Sequence, residues 1–155
     1  MPVILMKQHF NIRVYGLLFN RNGQLLLSRE RYRQMEMLKF PGGGLEWGEG
    51  VLDALRREFR EELSLEVAPD GRPHVSEPFI QSAFSKEAQI VAVHYCVRAV
   101  NLEDLSRLNL KPTAAEQASQ GARIVERFWQ HPRHLDPAQL TFEMDREAIK
   151  RLVLE

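Results

Sequence analysis

Apolar positions along the chain fall into short strand-like runs and two longer helix-like ones. Ile12 to Phe19 is an apolar run rich in β-branched and aromatic residues, as expected of a buried strand. Asn20-Arg21-Asn22-Gly23 reads as a turn and Gln24 to Ser28 as the returning strand, which together predict a hairpin. Phe79 to Phe84, a turn at Ser85-Lys86-Glu87, and Gln89 to Val100 predict a second hairpin. His94 within its long strand reads as a packed or hydrogen-bonded histidine. Ile124 to Gln130 is the last strand, carrying Phe128 and Trp129. From Val51 to Leu63 the period changes: Leu52, Leu55, Phe59 and Leu63 share one side of a helix. Phe142 to Leu154 repeats that pattern, turning Phe142, Ala148, Ile149, Leu152 and Val153 inward.

Polar connections join these runs. Arg29 to Lys39 carries Arg29, Arg31, Arg33 and Lys39 and reads as an exposed charged loop. Glu66 to Pro78 is a loop around Pro69-Asp70-Gly71-Arg72-Pro73. Asn101 to Gly121 is a long loop with a short helical turn, of a length more often functional than idle. The order hairpin, helix, hairpin, strand, helix is a mixed α/β pattern without the regular alternation of a doubly wound parallel sheet.

At 155 residues the chain suits one domain spanning 1–155 with a sizeable core. Its 21 basic and 21 acidic residues cancel, so no overall attraction to nucleic acid or to a membrane surface is expected. The single cysteine, Cys96, lies in an alternating strand and reads as a small core residue. No stretch approaches the length of a membrane helix, and MPVILMKQHF is too short and wrongly flanked for a signal peptide. The cytoplasm is the expected compartment.

The chemistry concentrates in FPGGGLEWGEGVLDALRREFREELSL, residues 40–65. At roughly 100° per residue, Glu58, Glu61 and Glu62 fall within one arc of about 100°, beside the apolar stripe. Three adjacent carboxylates repel one another, and a hard divalent cation, Mg²⁺ or Mn²⁺, would resolve that repulsion with oxygen ligands. The alternative is a solvated helix neutralised by Arg56, Arg57 and Arg60. Gly42, Gly43 and Gly44 let the backbone turn sharply and approach a ligand. Trp47 reads as a core anchor or, failing that, part of a site wall. The cations before the glycines either are solvated or reach substrate phosphates.

Gly43, Glu49 after five residues, then Arg57-Glu58-Phe59-Arg60-Glu61-Glu62-Leu63-Ser64-Leu65 after seven more resemble the Nudix box, G-x5-E-x7-R-E-U-x-E-E-x-G-U, where U is bulky and aliphatic. Phe40-Pro41-Gly42 and Glu46 also look like the family. Ser64 stands where the box has its last glycine, at the expected left-handed C-cap of the helix, and Phe59 is an aromatic variant at U. The resemblance implies the Nudix fold, a mixed β-sheet between α-helices. It also implies hydrolysis of a nucleoside diphosphate linked to another moiety. Glu58, Glu61 and Glu62 would hold Mg²⁺, or Mn²⁺ in its place, with a backbone carbonyl of Gly42 or Gly43. Arg57 and Glu49 would pair to orient the helix carboxylates, and Arg29, Arg31, Lys39 and Glu46 are the expected substrate contacts. The general base varies among family members, and Glu103, Glu116 and Glu126 are loop-side candidates. A homodimer is common among relatives. The competing reading is a non-catalytic Nudix-fold sensor of nucleotides, although no metal carboxylate is lost. A polyanion or RNA-end hydrolase wants a basic surface that zero net charge does not advertise.

Overall fold

The computed structural model describes residues 7–108, 110–118, 120–121 and 123–155. In chain order its strands are β1 (His9–Leu18), β2 (Leu25–Tyr32), β3 (Met35–Lys39), β4 (Gly42–Gly44), β5 (Val67–Pro69), β6 (His74–Val75), β7 (Ile80–Gln81), β8 (Ala88–Ala99) and β9 (Arg123–Gln130). The helices are α1 (Val51–Leu63), α2 (Ala114–Ala118) and α3 (Glu143–Ile149), the last continuing as a wider turn over Lys150–Leu154. A 3₁₀ helix, Leu102–Arg107, and α2 occupy the long connection before β9.

The larger sheet is ordered β4-β1-β8-β5, with β6 and β7 also paired to β8. β1 and β8 run parallel from His9 opposite Ala88 to Leu18 opposite Val97, and the other pairings are antiparallel. Neighbouring residues of β1 point to opposite faces, as a strand requires. Val14 and Leu18 join Leu55, Phe59 and Leu63 of α1 in one buried cluster. Tyr15 and Leu17 join Met144 and Ile149 of α3 in another. The sheet thus lies between helices. Phe59 packs where a side chain at Gly16 would overlap its ring, so α1 sits close against β1.

Four expectations are corrected. β1 and β2 do not form a two-stranded ladder: they meet only at the Phe19–Leu25 bridge, and β2 joins a second sheet ordered β3-β2-β9. Both edges of β1 are already occupied, by β4 and β8, so the returning strand must pair elsewhere. The charged loop 29–39 is a hairpin instead, with β2 and β3 paired from Ser28 opposite Lys39 to Tyr32 opposite Met35. Its turn uses Arg33 and Gln34 at φ of +48° and +68°, the two left-handed positions of a tight hairpin turn. Trp47 anchors no core; it is fully exposed on the loop before α1. The expected loop 66–78 also contributes β5 and β6 to the sheet.

Other expectations hold. α1 spans Val51–Leu63, with Leu55, Phe59 and Leu63 buried and Leu52 partly so. Ser64 caps it in the left-handed region, φ +49° and ψ +39°, its N–H donating to the Arg60 carbonyl at 3.0 Å. His94 is fully buried, 2.6 Å from the equally buried Asp145 and stacked on Tyr15.

Candidate active site

Arg57 ties the start of the box to the helix. Its Nε donates to Glu49 Oε2 at 2.9 Å and its Nη2 to Glu49 Oε1 at 2.7 Å, a two-pronged charge-assisted pair. Nη2 also donates to the Gly44 carbonyl at 2.9 Å, and Nη1 to Glu58 Oε1 at 3.0 Å and Glu61 Oε2 at 3.3 Å. One guanidinium therefore fixes loop, strand β4 and helix α1 relative to one another. The Arg57 hydrogen bonds, with the Glu46 N–H, hold the Glu49 carboxyl at a pKa of about 2. Glu46 itself lies at the exposed rim, 3.6 Å from Arg57.

Behind this rim lies a cavity of about 660 Å³, lined by Gly42, Gly43, Gly44, Glu58 and Glu62 among others. Two of the glycines stand at close approaches, and Gly42 is obligatory because a side chain there would meet backbone. A side chain at Gly42 (φ +153°) would overlap the Val14 carbonyl, and one at Gly43 would overlap the Glu58 carboxylate. The expected trio of carboxylates is split. Glu58 and Glu62 line the cavity, whereas the Glu61 side chain is 59% exposed at the rim beside Arg57. Burial, reinforced by the charges of Glu58 and Glu30, pushes the Glu62 carboxyl up to about 8, against the partial relief of Arg127 and Lys39. Among the described residues no three carboxylate, histidine or cysteine groups form a ready-made metal cage. The donor set nevertheless fits a hard cation: carboxylate oxygens held close to a glycine backbone, with a Glu62 charge that Arg127 and Lys39 relieve only in part.

The remaining walls bring in residues outside the box. Lys39 is buried in the cavity wall, 3.7 Å from Glu30 Oε2 and 5.4 Å from the Tyr15 ring centre. Burial works against its charge, yet Tyr15 and Glu30 hold its pKa above the ordinary value. Arg13 donates from Nε to the Tyr15 hydroxyl at 2.7 Å, and a side chain at Gly44 would touch its guanidinium. Arg13, Tyr15 and Glu30 were not singled out from sequence. The alternation of β1, which brings Asn11, Arg13 and Tyr15 to one face, is the signal that could have found the first two.

Arg29 and Arg31 do not line the cavity. They project from the opposite face of β2, Arg29 paired with Glu36 and Glu126 and Arg31 with Glu36. Of the candidate bases only Glu116 reaches the cavity, where it accepts from the fully buried Arg127 at 3.2 Å. Glu126 is spent on Arg29, and Glu103 lines a separate hollow with Asn20, Asn22 and Trp129.

The NUDIX domain model matches residues 9–152. The chain belongs to the Nudix family. Solved structures share the architecture at low identity. A Nudix hydrolase from Nitrosomonas europaea superposes with a TM-score of 0.65 at 19% identity, covering 92% of this chain and 87% of that one. The MutT protein of Methanosarcina mazei gives 0.64 at 19%, covering 95% of each chain. The E. coli dihydroneopterin triphosphate pyrophosphohydrolase gives 0.60 at 14%, covering 92% and 94%. Such likeness shows the Nudix fold. No curated protein matches the chain. No helix among the described residues is long and apolar enough to cross a membrane.

Proposed function

We propose that this Nudix protein is a single-domain, Mg²⁺- or Mn²⁺-dependent cytoplasmic enzyme acting on a small-molecule nucleotide. It hydrolyses the diphosphate bond of a nucleoside diphosphate linked to another moiety. The observation that carries this reading is Glu62, its charge disfavoured by burial beside Glu58 and Glu30, next to a Glu58 carboxylate that faces Gly43, in a cavity that also holds Arg13 and Lys39. Glu58, Glu61 and Glu62, with a backbone carbonyl of Gly42 or Gly43, would hold the metal. Once bound, it would neutralise the diphosphate, polarise phosphorus and acidify a water. Arg57 and Glu49 fix the bearing of Glu58, and Arg13, beside Gly44, is the cation placed to meet phosphate oxygens. In the reaction a water oxygen bonds to phosphorus as the bridging P–O bond breaks. The water's proton passes to a carboxylate, for which Glu116 is the cavity-lining loop candidate, and the bridging oxygen leaves on the second phosphate.

The test is ³¹P NMR of a nucleoside triphosphate, a nucleotide sugar and ADP-ribose incubated with the protein and Mg²⁺. Cleavage between phosphorus atoms, abolished by EDTA, is the expected result. Full turnover in chelator would refute the metal assignment, and binding without turnover of any of the three would make the protein a nucleotide sensor.

A further inference from the structure

Phosphate hydrolysis does not explain why a further buried carboxylate, Glu30, stands in the cavity beside a buried lysine. The hairpin register sets the layout. Ser28 lies opposite Lys39 and Glu30 opposite Met37, with Tyr32 one step further along the same face of β2. Glu30, Tyr32, Met37 and Lys39 all line the cavity. Glu30 Oε2 accepts from the Ser28 hydroxyl at 3.0 Å and faces Lys39 at 3.7 Å. Oε1 accepts no hydrogen bond from any described residue, and the Lys39 amine donates none to one. The pair thus shows the cavity an open acceptor beside an open donor. Next to it, Tyr32 meets Phe84 edge to face, ring centres 4.9 Å apart, and Phe142 adds a further apolar wall.

Such a ledge suits a flat heterocycle whose face lies on the aromatic side chains and whose edge meets the charged pair. Buried polar groups select by complementarity, because a mismatched edge leaves them unpaired. A carboxylate wants two adjacent N–H donors, and an ammonium wants a carbonyl. Guanine presents that edge: ring N1–H and the exocyclic amine donate, and O6 accepts. Adenine would set its N1 lone pair against the carboxylate, cytosine would do so with N3, and uracil offers a single N–H. From this geometry we infer that the cavity selects guanine-type nucleotides, with Glu30 reading the paired N–H donors and Lys39 the carbonyl. The inference rests on the reading of this cavity as a nucleotide site and adds to it the identity of the base.

The test is calorimetric binding of GMP, IMP, AMP and UMP to the wild-type protein at fixed Mg²⁺ concentration, which needs no turnover. GMP is expected to bind roughly 10–100-fold more tightly than AMP, with IMP, lacking the exocyclic amine, in between. Glu30→Gln should shrink the GMP-over-AMP ratio to about threefold or less, since an amide presents a donor as well as an acceptor. Circular dichroism establishes that the variant is folded; if it is not, the wild-type series decides alone. Equal affinities for GMP and AMP in the wild type would overturn the inference, as would a guanine preference that survives in folded Glu30→Gln. Guanine-selective binding without hydrolysis of any substrate would support it while removing the hydrolase reading. Hydrolysis with no base preference would do the reverse.

Discussion

Glu49 and Glu62 belong to the same motif, thirteen residues apart, and their surroundings drive them in opposite directions. Glu49 receives two hydrogen bonds from Arg57 and one from the Glu46 N–H, so its charge is favoured and its pKa falls to about 2. Glu62 is buried beside Glu58 and Glu30, so its charge is disfavoured and its pKa rises to about 8. A brace is electrostatically satisfied within the protein. A binding site is left unsatisfied, so that something else can satisfy it. On the proposed reading Glu49 and Arg57 would be positioning residues, and Glu62, beside a Glu58 that Arg57 already holds, would be the group left for a cation to satisfy.

The sharpest way to break the distinction is to neutralise each side in turn. Glu58→Gln or Glu62→Gln should reduce turnover by about 10²–10³, or about 3–4 kcal/mol, the scale on which lost electrostatic stabilisation of a transition state is felt. Melting temperature without metal should hold or rise, because the remaining carboxylates repel each other less. A fall in stability with intact turnover would mark Glu62 as structural. Glu49→Gln should act through Glu58 instead, weakening Mg²⁺ affinity by about 10–100-fold, as groups that orient metal ligands do, and also lowering melting temperature. A Glu49→Gln protein with unchanged melting and unchanged Mg²⁺ affinity would remove the brace.

The two carboxylates also predict opposite pH dependences. Glu62 has a folded-state pKa above its ordinary 4.5, so the folded protein binds that proton more tightly. Its contribution to stability is complete below pH 4.5 and is lost as the pH rises toward 8, at up to about 1.4 kcal/mol per pH unit. Glu49 lies below its ordinary 4.5, so its contribution is present above that pH and is lost as the pH falls toward 2. Urea denaturation of metal-free protein across pH 4.5–8 should show stability declining in the wild type and a flatter profile in Glu62→Gln. Identical profiles would mean that Glu62 titrates normally. The smallest effect concerns the end of the same helix: Ser64→Gly should add about 1 kcal/mol by removing left-handed strain. A lower melting temperature in that variant would mean the serine side chain matters to the cap.

How legible these features were depended on where the signal lay. The bounds of α1 and the left-handed Ser64 were readable because apolar spacing and cap chemistry act locally. The hairpin at 29–39 was hidden because charges sit on both faces of β2 and β3: Arg29, Arg31 and Glu36 outward, Glu30 and Lys39 inward. Its turn residues, Arg33 and Gln34, reach positive φ without the glycine or asparagine that usually announces such a turn. Hydrophobicity misplaced Trp47, because the loop leading into α1 holds it away from both clusters. Box spacing grouped Glu58, Glu61 and Glu62 as equals. Only the packing of α1 against β4 shows that two face inward while the third stands at the rim.

Calorimetric titration of Mg²⁺ into the metal-free protein at pH 7, in two buffers of different ionisation enthalpy, most directly tests whether Glu58 and Glu62 form a waiting cation site. Metal ligands must be deprotonated to bind, so an occupied site should expel the proton that Glu62 retains when its pKa is about 8. The expected result is saturable binding with proton release in the wild type, and weaker binding with less proton release in Glu62→Gln. Binding that releases no proton and is equally tight in wild type and Glu62→Gln would contradict the assignment.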